Sequence, residues 1–336
     1  MKSIKSLSWI FLLVGLAVMT GLIAWQGIGE IGAIIAKGGF AMLSLALFFI
    51  PQILLFTVSW RLLFPADATP TFVRAGSAMT VGMYANALLP VAEIGGEVIK
   101  ARIIMQGGAS GRDAGASVVL DKTIQTLSLI AWALVGIGAL VALNAKAPVV
   151  FGGLAGIGLL TAGTVGFIIV QHKGMFGPMA RLGERFTGGE TWARLAGGAH
   201  ALDGAVRELY RHRGRLAASA GFRLLGRVVL VGELWLVGQL IGHPIGLLEA
   251  VALRSLGMTI RSMAFMMPGG YGVQEGGYVA IGALIGVPPD IALVLSLASR
   301  LRDIVVGIPA LVAWQWSEGR GIAASSGTSR ATDGDG

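Results

Sequence analysis

None of the 336 residues is cysteine, which excludes disulfides, thiolate metal sites and cysteine nucleophiles. Charge is scarce too: Asp, Glu, Lys and Arg make up 13% of the chain, against 54% hydrophobic residues. That much apolar surface exceeds what one soluble core hides, so the chain reads as an integral membrane protein. Histidine is limited to four positions, His172, His200, His212 and His243, none within an apolar run. There is no His-Glu-x-x-His zinc pair and no Walker phosphate loop. In GGYGVQEGG, Glu275 stands where a dinucleotide fingerprint needs its third glycine. The sequence therefore predicts no cofactor, no metal and no catalytic motif. An intramembrane acid–base reaction on a lipid through Glu97 or Glu275 stays open as a lesser alternative.

What is present is a formal charge of +8, distributed in short segments beside apolar runs. That placement fits orientation in a bilayer and not nucleic acid. Runs at 9–25, 40–63, 115–143, 148–171, 216–241 and 290–316 are long enough to cross ~30 Å of hydrocarbon. The first has Lys2 and Lys5 ahead of it but no small-x-small site behind it, so it reads as an uncleaved span. Two further regions, 71–107 and 246–286, are apolar but interrupted by proline, glycine and charge; each reads as two half-helices meeting at a break. The expected fold is an all-α polytopic membrane protein with about six transmembrane helices and two re-entrant helical hairpins in an inverted-repeat arrangement.

The segments follow. Residues 1–171 form a first membrane half with hairpin 71–107, and 172–214 a basic linker. Residues 215–317 form a second half with hairpin 246–286, and 318–336 a tail too polar to fold. The basic linker and both termini should be cytoplasmic. Within the linker, WARLAGGAHALDGAVRELYRHRGRL carries an apolar face at helical spacing, suited either to the inner leaflet or to a solvated connection between the halves.

An internal echo ties the halves together. At an offset of 178 residues Pro90 falls on Pro268, Glu97 on Glu275, Gly108 on Gly286 and Lys122 on Arg300. Prolines, carboxylates and cations are each costly in lipid, so their recurrence at one offset points to duplication. Three spans separate the echoed regions, which makes the repeat inverted, as in transporters whose broken helices meet near the midplane. In NALLPVAEIGGEVIKARII, Asn86, Pro90, Glu93 and Glu97 precede Lys100 and Arg102; in MPGGYGVQEGG, Pro268 precedes Gln274 and Glu275. Each carboxylate sits near a half-helix start, where the dipole favours negative charge. Glu97 and Glu275 are expected in one polar pocket, balanced by Lys122, Arg300 and Arg302, with Asp303 three residues from Arg300 on one helical face. The competing reading is that Glu97–Lys122 and Glu275–Arg300 only lock the fold. Arg223 and Arg227 are expected to snorkel to the inner surface, while Arg254 and Arg261 suit either an outward-facing vestibule or lipid headgroups.

Those two stretches, the second continuing through YVAIGALIGVPPDIALVLSLASRLRDIVVGIPALVAW, resemble the flippase-like family that forms the membrane region of lysylphosphatidylglycerol synthases. The second is similar to integral membrane proteins associated with hopanoid biosynthesis. The resemblance covers roughly 5–317 and implies a bacterial inner-membrane protein that binds or translocates a lipid, a hopanoid or related polyisoprenoid. It places functional positions on Pro90, Glu97, Pro268, Gln274, Glu275, Arg300 and Arg302. The large soluble aminoacylating domain of the two-part synthases has no counterpart here, so aminoacyl transfer is not implied. A different class remains open: a non-transporting scaffold that gathers hopanoid-biosynthesis enzymes through the basic linker.

Overall fold

A computed structural model describes residues 20, 21, 24, 28–89, 94–174, 190–264 and 268–332. Helix α1, Ile28–Gly38, leads through a 3-10 segment, Gly39–Phe48, into α2, Phe49–Arg61. Then come α3 (Phe72–Leu88), α4 (Gly95–Met105), α5 (Gly111–Ala142), α6 (Ala147–Lys173) and α7 (Glu190–Tyr210). Helices α8 (Arg213–Leu240) and α9 (Leu247–Met263), a 3-10 turn at Pro268–Gly270, α10 (Val273–Ile285) and α11 (Pro289–Thr332) complete the order. There is no strand among the described residues, and the protein is an all-α membrane protein.

Among the described residues three segments, Leu43–Arg61, Gly111–Ala142 and Ala147–Lys173, are long and apolar enough to cross a membrane. The expected spans at 216–241 and 290–316 fall on α8 and α11, whose apolar sequence is broken by inward-facing charge. The expected span at 9–25 lies outside the described residues apart from 20, 21 and 24. Helix α6 shows what the outer surface is for. Phe151 and Leu159 are 69% and 72% exposed, which water would penalise and hydrocarbon does not.

Both interrupted regions form pairs of short helices. At about 1.5 Å per residue, the 17, 11, 17 and 13 residues of α3, α4, α9 and α10 reach about 16–26 Å, less than the ~30 Å core. Helices α4 and α10 start 178 residues apart, as do α5 and α11, so the echo is a structural register as well as a sequence one. The packing is crossed: α3 lies against α11, α9 against α5, and α2 against α8. One core gathers Trp60, Phe64, Ile104 and Leu120. A second gathers Leu234, Leu253, Tyr278 and Leu293, and a smaller third gathers Ile137, Leu140 and Ile157.

Two expectations change. Where its side chains are described, from residue 199 on, the apolar face of α7 packs inward. Its Ala205, Val206 and Leu209 are buried in the first core, because α5 offers a matching apolar surface. The Tyr210 hydroxyl donates to Gln171 Oε1 at 2.6 Å, its ring lies 4.4 Å from that of His172, and burial pushes its pKa up. Helix α11 also runs on to Thr332, over a stretch expected to stay unfolded. Extending an established helix adds a hydrogen bond per residue without a new nucleus, and no proline follows Pro309 to stop it.

The α3–α4 contact is set by glycine. A Cβ on Gly96 would lie 2.0 Å from Gly82 O and 2.7 Å from Asn86 Oδ1, so the two backbones touch directly. Gly96→Ala forces the half-helices apart and is expected to lower stability by about 1–3 kcal/mol, as overpacked sites do. Thermal unfolding in detergent checks it; an unchanged midpoint would contradict the close approach.

Candidate functional site

The second break is where the backbone leaves helical geometry. Gly269, Gly270 and Gly272 have φ of +62°, +59° and +76°, values that side chains resist. Helical hydrogen bonding lapses there, yet water is scarce at membrane depth, so the freed groups need protein partners. Arg300 supplies them. It donates to the carbonyls of Gly269 (2.5 Å) and Gly270 (3.1 Å), and its Nε donates to Glu275 Oε1 at 3.0 Å. Its guanidinium sits 4.4 Å from the centre of the Tyr271 ring. The other Glu275 oxygen accepts from the Gly272 amide at 2.7 Å, closing a capping box at the start of α10. Glu275 is 0% exposed and both its oxygens are engaged. This pair holds the turn together.

The first break is secured differently. Asn86 Oδ1 accepts the Gly96 amide at 2.8 Å, capping α4 from the neighbouring helix. That leaves Glu97, 14% exposed, to face a cavity of about 140 Å3. Glu97 accepts from Lys100 at 2.8 Å and lies 3.9 Å from Lys122. Lys100 also donates to Asp121, which accepts from Arg223 on its other oxygen. Asp121 is therefore the junction of α4, α5 and α8. Aromatic rings of α2 back both cations: Lys100 lies 4.7 Å from the Trp60 ring centre and Arg223 4.4 Å from that of Phe56.

A second network faces the same cavity from the other half. Arg302 donates to Glu233 and, at 2.8 Å, to Asp303. Arg254 reaches Glu233 at 3.5 Å and Ser299 Oγ at 2.7 Å. Arg261 lies 3.6 Å from Asp303 and donates to Gln274 Oε1 at 3.2 Å, while Gln274 donates on to Ser296 at 3.0 Å. Between the two networks stands Arg227, 2% exposed and lining the cavity. Its acceptors are Gln125 O, Ser128 Oγ and Met258 Sδ, none of them charged.

Of the residues predicted from sequence, Asn86, Glu97, Lys122, Gln274, Arg302 and Asp303 come together around this cavity. Glu275 and Arg300 do not line it; they are packed into the wall behind Gln274, so the two echoed glutamates do not share it. Pro268 opens the 3-10 turn. Pro90 and Glu93 lie outside the described residues. The expected snorkelling of Arg223 and Arg227 is overturned: both are buried, because Asp121 and the cavity lie on the inner face of α8. Arg254 and Arg261 turn into the cavity toward Glu233 and Asp303. Sequence reasoning gave Lys100, Asp121 and Glu233 no site role. The available signal was a set of ionisable residues inside apolar helices, which places them inward without naming partners.

The chain belongs to the family described as the lysylphosphatidylglycerol synthase TM region, whose model matches residues 12–310. A UPF0104 membrane protein of Pyrococcus horikoshii is 20% identical over 321 residues, covering 90% of this chain and 94% of its own. A UPF0104 membrane protein of Methanothermobacter thermautotrophicus is 23% identical over 314 residues, covering 87% and 90%. No solved structure matches the chain.

Two expected outcomes separate the lock from the cavity. Arg300→Lys keeps the charge but cannot reach two carbonyls and a carboxylate together, so it lowers stability by about 2–4 kcal/mol, the range for a disrupted buried charge network; a change under 0.5 kcal/mol in detergent unfolding refutes the lock. Asp121→Asn strands Lys100 and Arg223 and costs about 3–5 kcal/mol. Adding Lys100→Met should restore part of that loss, and strict additivity of the two changes would refute the junction.

Proposed function

We propose that the protein translocates a lipid across the membrane, carrying the headgroup through the charged cavity while the chains remain in hydrocarbon. The observation that carries this reading is the cavity itself: side chains from both repeats surround a polar space inside a helical body whose outer face is apolar. At about 140 Å3 it is well below the ~300 Å3 of a small whole-ligand pocket, so it suits a headgroup alone. Short half-helices that meet at breaks and crossed packing of the two repeats are the architecture from which alternating access is built. The inverted orientation of the repeats belongs to this proposal, as does a bacterial inner membrane with both termini cytoplasmic. A hopanoid or related polyisoprenoid as cargo rests on the resemblance of the MPGGYGVQEGG and SRLRDI stretches. The protein acts as a carrier and leaves its substrate chemically unchanged.

The test is transport by purified protein in sealed vesicles carrying a fluorescent phospholipid, with dithionite access reporting leaflet exchange. Exchange should exceed that of protein-free vesicles at least about tenfold, equivalent to about 1.4 kcal/mol of barrier. Met258→Trp, which fills the cavity from its wall, should return the rate to background while thermal unfolding stays cooperative. Equal rates with and without protein, or full activity with the cavity filled, would sink the reading.

A further inference from the structure

One buried cation at the cavity has no carboxylate partner among the described residues. Lys100, Lys122, Arg223, Arg254, Arg261 and Arg302 each meet at least one of the carboxylates Glu97, Asp121, Glu233 and Asp303, whereas Arg227, among the described residues, pairs with none of them. A cation left without counter-charge in a buried site is strongly unfavourable unless something negative or water-like meets it. Arg227 cannot escape by snorkelling, since it is 2% exposed midway along α8, between Arg223 one turn before it and Arg254 across the cavity. Among the described residues its Nη1 meets only the Met258 thioether at 3.0 Å, a weak acceptor. The Nε atoms of Arg223 and Arg254 are buried and have no hydrogen-bond acceptor among the described residues. Three guanidinium groups from two helices thus line one small polar space.

We infer that this cluster, centred on Arg227, is a seat for a phosphate group, monoester or diester. A carboxylate presents its two oxygens in one plane, the geometry that suits a single guanidinium fork. A phosphate offers more oxygens in a tetrahedral array, which matches several planar donors converging from different sides. That the phosphate is borne by an amphiphile rests on the translocation reading; that the site takes an anion does not. The consequence is selectivity: a phosphate-headed lipid, such as a polyisoprenoid phosphate, is accepted, and an uncharged hydroxyl-headed one, such as a simple hopanoid alcohol, is not.

The experiment measures binding, not transport. Wild type, Arg227→Gln and Arg227→Lys in uncharged detergent are titrated with dioctanoyl phosphatidic acid, with dioctanoylglycerol as its phosphate-free match, and with inorganic phosphate, reading affinity and thermal midpoint. Phosphatidic acid should raise the wild-type midpoint and bind at least about tenfold tighter than dioctanoylglycerol, as expected when charge-assisted bonds are added. Arg227→Gln should lose about that tenfold for phosphatidic acid only, with Arg227→Lys between. Without ligand, Arg227→Gln should unfold at the same temperature as wild type or higher, because an uncompensated charge has been removed; a merely structural arginine would show a fall. Equal binding of the two lipids, or phosphatidic acid binding unchanged in both variants, overturns the site. Inorganic phosphate binding as tightly as phosphatidic acid keeps the anion site and removes the lipid. Arg227-dependent binding without leaflet exchange refutes translocation and leaves the site standing, whereas exchange that Arg227→Gln does not slow, with binding also unchanged, refutes the site alone.

Discussion

A charge inside the hydrocarbon layer must be met by another charge, a hydrogen-bond partner or a wet space, and this constraint governs the whole structure. It explains why α8 turns Arg223, Arg227 and Glu233 inward and why Arg302 of α11 meets Glu233 across the packing of the two helices. It also explains two different solutions. Where the backbone itself is broken, at Gly269 to Gly272, a pair made of Glu275 and Arg300 engages the Gly269 and Gly270 carbonyls and the Gly272 amide. Where the backbone is capped by Asn86 instead, the homologous glutamate, Glu97, is released to face the cavity. Duplicated residues have thus parted roles, one as a lock and one as part of a lining.

That division was only half legible in the sequence. Helix type followed from apolar runs, and the positions of the breaks followed from proline and glycine. The 178-residue echo foretold the register of α4 with α10 and α5 with α11, because helix starts are set locally by small residues and caps. The pairing Glu275–Arg300 was also readable, since both belong to one repeat and echo Glu97 and Lys122. What the echo could not convey was that Asn86 replaces a glutamate as the cap, a difference of one residue type that decides whether a carboxylate is consumed or free.

The partners of α8 were beyond sequence reasoning for a different reason. Arg223 and Asp121 are 102 residues apart, and Glu233 and Arg302 are 69 apart. No local spacing specifies such contacts; they depend on how helices pack across the two halves. Four residues separate Arg223 from Arg227, a spacing equally compatible with a snorkelling stripe and with an inward one. Only the position of Asp121 on α5 distinguishes them. Tertiary packing likewise settled the amphipathic face of α7, which matched lipid, water and protein equally well as a pattern.

The junction at Asp121 has a consequence for biogenesis. Lys100 and Asp121 are 21 residues apart, so they meet within the first repeat, whereas Arg223 is contributed by the second. Both members of that pair are made before α8, so the first repeat carries within itself a counter-ion for the Asp121 carboxylate, and Arg223 is the second cation that the other half brings to it.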